Sequence, residues 1–320
     1  MSFTLPVYQP PDFAALGLGD APDVKLVPAE RDGVVPEQYH ATTMFPEYFR
    51  LNGRWVLAEE SRMDCVAVCR DGAVSIVEFR NVKKGDPVAV GRTEDGGEGI
   101  YVHTGGFGEE GGGGETFSFR QGRSRETAYS MDYDSIYELL KHERDHGNII
   151  WVMGPACAFD ADARSAFAAL VREGFVDGIL AGNALATHDL EAGYRGTALG
   201  QDVYTQRSVP NGHYNHIDTI NEVRRLGSIQ AFVDSGEVRD GILYECVKKS
   251  VPFVLVGSVR DDGPLPEVYG NVYEGQNAMR DLVRKATTII CMASTLHTVA
   301  TGNMTPCYRV VNGSVRPLYF

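Results

Sequence analysis

The sequence predicts an α/β protein in two parts, a small antiparallel β domain followed by a doubly wound, mostly parallel sheet. Three observations carry this. Short β-rich segments separated by Gly-containing turns fill Arg54–His103, strand and helix patterns alternate after about Ser130, and the apolar runs of that second half stop at small residues. The 320 residues suffice for about two domains. The expected division is an extended arm over 1–27, a β-rich domain over 28–130 and an α/β domain over 131–320.

Residues 1–30 carry five prolines and little periodicity, so they are expected to lie as an arm on another part of the protein. Strands are then expected at Arg54–Ala58, Cys65–Val68, Val74–Phe79, Pro87–Gly91 and Gly99–His103, with Arg-Asp-Gly and Lys-Gly-Asp turns between them. Gly106, Gly108 and Gly111 spell a literal Gly-x-Gly-x-x-Gly. It is rejected as a nucleotide fingerprint because Glu109 and Glu110 would repel phosphates and no helical pattern follows before Ser130.

In the second half, Asp134–His146 reads as a helix ended by Gly147, and Ile149–Met153 as a buried strand. A helix over Asp162–Glu173 and a strand over Phe175–Ala181 follow. Helices over Tyr214–Arg225 and Ile229–Lys249, a strand at Pro252–Gly257, a helix over Gln276–Ala286 and a strand at Thr288–Ala293 complete the alternation. Runs such as Phe253–Val256 suit strands buried on both faces, as in parallel sheets.

A net charge of −13 and a pI near 5.1 argue against nucleic acid or an anionic membrane as partners. A small-molecule ligand is expected instead. No apolar run reaches membrane-span length and Met1–Leu18 lacks a signal-peptide pattern, so the expected location is cytoplasmic, with a homo-oligomer as the assembly. The six cysteines, mostly inside apolar runs, read as buried thiols.

Three strand ends run into small residues: Gly154-Pro155-Ala156, Gly182-Asn183-Ala184 and Gly257-Ser258. Small residues there let backbone amides approach a ligand such as a pyrophosphate, although each glycine alone could simply make a tight turn. After the second of these, His188 beside Asp189 reads either as a proton-transfer pair or as a surface turn, and Glu191 follows. Arg260, Asp261 and Asp262 follow the third. Arginine matches a substrate carboxylate and aspartate can take a proton or hold an ammonium, so this group looks built for an amino acid. His297 and Asn303 follow the last strand. His213 and His216, with Asn215 and Asp218, lack the spacing and the carboxylate of a zincin helix, and no metal site is expected.

The segments Pro28–Pro36, Thr42–Tyr48, Leu51–Trp55, Leu180–Asp189, Gly257–Pro266 and Leu296–Met304 resemble, in order, the conserved region named after lysine-ketoglutarate reductase/saccharopine dehydrogenase (LOR/SDH). Its relatives with an assigned activity are the archaeal-type ornithine cyclodeaminases and the similar C-terminal module of cyanobacterial arginine dihydrolase/ornithine cyclodeaminases. These often carry a small upstream domain where this chain has its Pro-rich arm, and usually continue past the position of Phe320.

The resemblance implies NAD held in a Rossmann-like domain of the deoxyhypusine-synthase type, by Gly154, Pro155, Ala156, Gly182, Asn183, Ala184, Gly257, Ser258, His297 and Asn303. The implied reaction converts ornithine to proline and ammonia. Hydride leaves the α-carbon, the terminal amine attacks the imine, ammonia departs and the hydride returns. A carboxylate base is then required, for which Asp261, Asp262 and Asp189 are the candidates, with Arg260 or Arg50 for the substrate carboxylate. Thr43, Arg50, Asn52, Asp64 and His188 are the expected substrate contacts, the β-rich half serving as a lid. A different diamino acid such as lysine, another NAD-dependent reaction and a non-catalytic NAD-binding regulatory module stay open as alternatives.

Overall fold

A computed structural model describes residues 3–107 and 130–320. The chain divides into two compact units, one formed by residues 2–132 with 303–319, the other mainly by 133–302.

The first unit opens with β1 (Lys25–Pro28), β2 (Glu47–Leu51), β3 (Arg54–Leu57), β4 (Cys65–Arg70), β5 (Ala73–Glu78), β6 (Pro87–Val90) and β7 (Ile100–Val102). They form two antiparallel sheets, ordered β1-β6-β4-β5 and β3-β2-β7. The two-residue β2–β3 and β4–β5 hairpins follow from sequence: Asn52-Gly53 and Asp71-Gly72 all have positive φ, as the turn that matches strand twist requires. Strand β4 is buried on both faces. Cys65, Ala67 and Cys69 pack with Phe49 and Ile100, while Val66 and Val68 pack with Val82 and Val88. The arm lies on the second sheet, where Phe13 stacks on Trp55 with centroids 4.5 Å apart and Tyr8 shares a 2.8 Å hydrogen bond with Tyr48.

The second unit contains α1 (Ser130–His146), β8 (Ile149–Met153), α2 (Ala156–Phe159), α3 (Ala161–Arg172), β9 (Gly178–Gly182), α4 (Asn183–Arg195), and the short pair β10 (Thr197–Ala198) and β11 (Gln201–Asp202). Then come α5 (His213–Leu226), α6 (Ile229–Asp234), α7 (Ile242–Lys249), β12 (Phe253–Val256), β13 (Val268–Tyr269), α8 (Val272–Val283), β14 (Thr288–Met292) and α9 (Thr295–Met304). Its five-stranded sheet runs β13-β12-β9-β8-β14, parallel throughout. Successive strands step outward from β8 on one side until β14 returns to the other, so the order reverses between β8 and β14. Ligands of such sheets bind beyond the strand ends at that reversal.

Three expectations change. The helix read over Ile229–Lys249 is two, α6 and α7, because Gly236 and Gly241 adopt positive φ between them. Asn183–Arg195, not read as a helix, is α4. The last segment groups with the β-rich unit rather than with 131–302: β15 (Tyr308–Val311) and β16 (Ser314–Pro317) form a hairpin whose buried Tyr308 donates a 2.6 Å hydrogen bond to the Ala58 carbonyl. The glycine run from Gly108 to Gly114 lies outside the described residues.

Candidate active site at the strand ends

At the reversal point the backbones of β8 and β14 are pinched together. Gly154 donates its N–H to the Met292 carbonyl at 2.7 Å, and a Cβ on Gly154 would lie 1.7 Å from the Ala293 oxygen, so no side chain fits here. Pro155 is half-buried and Ala156, the first residue of α2, is exposed.

At the next strand end Gly182 leads directly into α4. Helices α3, α6 and α8 each have a side chain at the N-cap, Asp160, Ser228 and Asn271, that accepts from first-turn amides. Helix α4 does not. Its N-cap is Gly182 in extended conformation, with no side-chain cap and no acidic residue in the first turn. The result is a helix end without a side-chain cap beyond a central strand, where first-turn amides can meet an anion. His297 stands over it: its Cε1 lies 3.3 Å from where a Gly182 Cβ would be, and burial holds the imidazole below its ordinary pKa, hence neutral at pH 7.

The third strand end folds back on itself. Gly257 donates to the Tyr269 carbonyl at 2.9 Å, and Ser258 N–H donates to Asp261 Oδ2 at 2.7 Å while Asp261 N–H returns to the Ser258 carbonyl at 3.1 Å. Asn183 connects this turn to α4. Its Oδ1 accepts from Leu265 N–H at 3.1 Å and its Nδ2 faces Asp261 Oδ1 at 3.5 Å. Arg260 and Asp262 are exposed, so the arginine expected at a buried strand end sits on the surface of the turn. Asn183, Ala184, Gly257, Ser258, Asp261 and His297 thus belong to strand ends in one unit. Asn303, near the end of α9, belongs to the β-rich unit.

Asp189 is not at the strand ends. It is buried within α4, where Oδ1 accepts from Arg164 Nε at 2.7 Å and from Ile242 N–H at 2.9 Å, and Oδ2 from Leu243 N–H at 2.7 Å. The carboxylate caps α7 from a distance and neutralises a buried guanidinium. As a base candidate it is corrected on that ground: its acceptors are occupied and no solvent path reaches it.

The neighbour of His188 in space is not Asp189 but Glu191, whose Oε2 lies 3.5 Å from its Nδ1. Residues adjacent in a helix diverge by about 100°, whereas residues three apart share a face. Glu191, fully buried, accepts from Thr197 Oγ1 at 2.8 Å, Leu199 N–H at 2.8 Å and Gly200 N–H at 2.9 Å. Burial pushes its carboxyl up, but the facing imidazoles of His188 and His216 and these donors outweigh burial and bring it to about 2. The sequence offers His216 no carboxylate partner at helical spacing nearby in the chain; Glu191 of α4 supplies one across to α5, 3.6 Å from His216 Nδ1.

In the β-rich unit the expected substrate contacts are occupied locally. Arg50 donates to the carbonyls of Ala21 and Gly19, the latter at 3.0 Å, and so ties down the arm. Asn52 (φ 51°) forms the β2–β3 turn, and Asp64 (φ 63°) is an exposed turn residue. Thr43 donates its hydroxyl to Glu47 Oε1 at 2.6 Å, and His40 Nε2 lies 3.1 Å from Glu47 Oε2. Sequence reasoning missed this buried Glu47. The signal was a carboxylate preceding Tyr48 in a strand otherwise apolar on its buried face.

Residues 135–317 match the Rossmann-fold region of the C-terminal part of ArgZ-like arginine dihydrolases, and residues 46–127 match its first region. The chain is 39% identical over 295 residues to the ornithine cyclodeaminase of Methanocaldococcus jannaschii, covering 89% of this chain and 68% of that protein. The crystal structure of a conserved protein from Methanococcus maripaludis S2, assigned to LOR/SDH, is similar with a TM-score of 0.81 at 35% identity, over 89% of this chain and 85% of that one. The ternary complex of AgrE with ornithine and NAD+ is similar with a TM-score of 0.54 at 32% identity, over 90% of this chain and 40% of that one. Among the described residues no helix is long and apolar enough to cross a membrane.

Proposed function

The chain belongs to the family of ArgZ-like C-terminal regions and archaeal ornithine cyclodeaminases, and we propose that it is an NAD-dependent cyclodeaminase that converts ornithine to proline and ammonia. The observation that carries this reading is the uncapped amino end of α4 at the carboxyl end of β9, beside the order reversal of a parallel sheet. The residues there suit a dinucleotide. First-turn amides of Asn183 and Ala184 would hold the pyrophosphate, with Gly154, Pro155 and Ala156 on one side and Gly257 and Ser258 on the other. Gly182 and the neutral His297 leave no charge that opposes a cationic nicotinamide.

When bound, NAD supplies a hydride acceptor that becomes the donor later in the same turnover, so the substrate undergoes no net redox change. The chain supplies proton control. Asp261 is the base for the substrate α-ammonium: Ser258 N–H fixes one of its oxygens, while the other has only the long contact to Asn183 and can accept a proton. Arg260, exposed beside it, is the group for the substrate carboxylate, which a guanidinium binds bidentately. Asp262, exposed in the same turn, is given no part in the reaction.

Incubation of the purified protein with NAD and ornithine should give proline and ammonia in equal amounts without accumulation of NADH. Net NADH would instead make the protein a dehydrogenase, turnover of lysine alone would move the substrate, and NAD binding without turnover of any diamino acid would make it a binding module. Asp261→Asn should lower kcat by about 10²–10⁴ with NAD binding retained, and Asp262→Asn should leave it within a few-fold. Equal activity of both variants and the parent would remove the base from this turn.

A further inference from the structure

Outside the strand-end site, one cluster has chemistry that neither hydride transfer nor packing uses. His188 and Glu191 on α4 and His216 on α5 bring one ligand atom each to within 4.8 Å of one another. His188 is 5% exposed and Glu191 fully buried, while the His216 side chain is 23% exposed. Both imidazoles direct Nδ1 at Glu191 Oε2, at 3.5 and 3.6 Å, and neither Nδ1 has a hydrogen-bond partner.

Those separations are too long for hydrogen bonds, and a protonated imidazole would close to about 2.7–2.9 Å on a carboxylate. They fit something else. Two ligands about 2.0–2.1 Å from one tetrahedral ion stand about 3.4 Å apart. The carboxylate is also held as a metal ligand should be, by Thr197 Oγ1 and the amides of Leu199 and Gly200, and Asn215 Nδ2 donates to that same Thr197 hydroxyl at 3.0 Å, which links α5 to the support. The half-buried Phe159 ring faces His188, 4.7 Å between centroids.

We propose that His188, Glu191 and His216 bind one divalent cation of the zinc type, with water at the remaining position on the partly exposed His216 side, and that the ion fastens α5 to α4. Two imidazoles and one carboxylate form a borderline donor set, which selects Zn²⁺ or Co²⁺ over Mg²⁺ or Ca²⁺. The ion satisfies both orphaned nitrogens at once, which a single shared proton cannot do. Binding should therefore occur without ornithine or NAD, and its test is independent of the proposed reaction.

The full chain, stripped with a chelator and titrated with Co²⁺ near neutral pH, should take up one equivalent with the visible absorption of a low-coordinate imidazole site, lost on addition of Zn²⁺. His216→Ala should abolish uptake and absorption while far-UV circular dichroism stays that of the stripped parent. His146→Ala, in the exposed last turn of α1, should change neither. If His216→Ala does not fold, His216→Gln and His188→Gln provide the same readout. Uptake below one equivalent at millimolar Co²⁺, or unchanged uptake in the folded ligand variants, would overturn the site.

Discussion

Helix α4 carries two buried carboxylates two residues apart, and they are in opposite states of completion. Asp189 accepts from a guanidinium and two helix amides, and every group that faces it is bonded to it. Glu191 has two loop amides and a hydroxyl, yet faces two imidazole nitrogens that bond to nothing. Burial pushes the Asp189 carboxyl up against the pull of Arg164 and the α7 amides, whereas at Glu191 the facing imidazoles of His188 and His216, with the Gly200 amide and the Thr197 hydroxyl, outweigh burial and lower it to about 2. Both carboxylates are buried, so burial does not distinguish structure from binding. The unfilled bonds do.

The comparison breaks most severely on the Asp189 side. Arg164 also reaches Asp240, donating to Oδ1 at 2.6 Å and to the carbonyl at 2.9 Å, and the backbone makes room for it: a Cβ on Gly241, at φ 119°, would lie 2.1 Å from Nη2. Arg164→Ala leaves Asp189 buried without a countercharge and should cost about 3–5 kcal/mol, read as a lower urea midpoint at unchanged m-value. The double variant Arg164→Ala/Asp189→Asn should recover part of that loss, because the uncompensated charge is gone. Equal loss in single and double variants would mean that packing of the guanidinium, rather than the pair, holds α3, α4 and α7 together.

This difference also explains which parts of the molecule the sequence discloses. Runs such as Ile149–Met153 and Phe253–Val256 are read correctly because a strand buried on both faces has a plain apolar signature. Helix α4 is not, because it is buried on nearly every side from Leu185 to Ala192 and its buried residues include Asn183, Thr187, His188, Asp189 and Glu191, which erases the amphipathic period. The break between α6 and α7 was written in Gly236 and Gly241, but the apolar spacing on either side continues through it. At the site, proximity in sequence misleads: His188 and Asp189 are neighbours in the chain and diverge in space, while Arg164–Asp189 and Glu191–His216 are 25 residues apart and meet. The glycines at the strand ends were legible because the close approach at Gly154 admits no other residue.

A smaller effect is expected at Glu191. Glu191→Gln keeps the volume but leaves one carbonyl oxygen for three donors, Thr197 Oγ1 and the Leu199 and Gly200 amides, and should cost about 1–3 kcal/mol in chelator. Leu199 sits at φ 51°, a conformation that favours glycine, so its turn depends on that carboxylate and should exchange its amide protons faster in the variant. Hydrogen exchange at Leu199 and Gly200 checks it. Protection equal to that of the parent would show that the β10–β11 turn is held by its own backbone bonds.

The smallest effect sharpens the comparison furthest, because it depends on what is in solution. His216 is partly exposed and its Nδ1 bonds to nothing in the chain, so His216→Ala in chelator should change stability by less than about 1 kcal/mol. With Zn²⁺ at 100 times its dissociation constant, the parent alone gains about 2.7 kcal/mol by linkage, and the two proteins should separate by that amount. No comparable condition exists for Asp189, whose partners are all covalently part of the chain. A gap between parent and His216→Ala that is equally wide with and without the metal would place His216 with Asp189, as a structural residue whose partner is the protein itself.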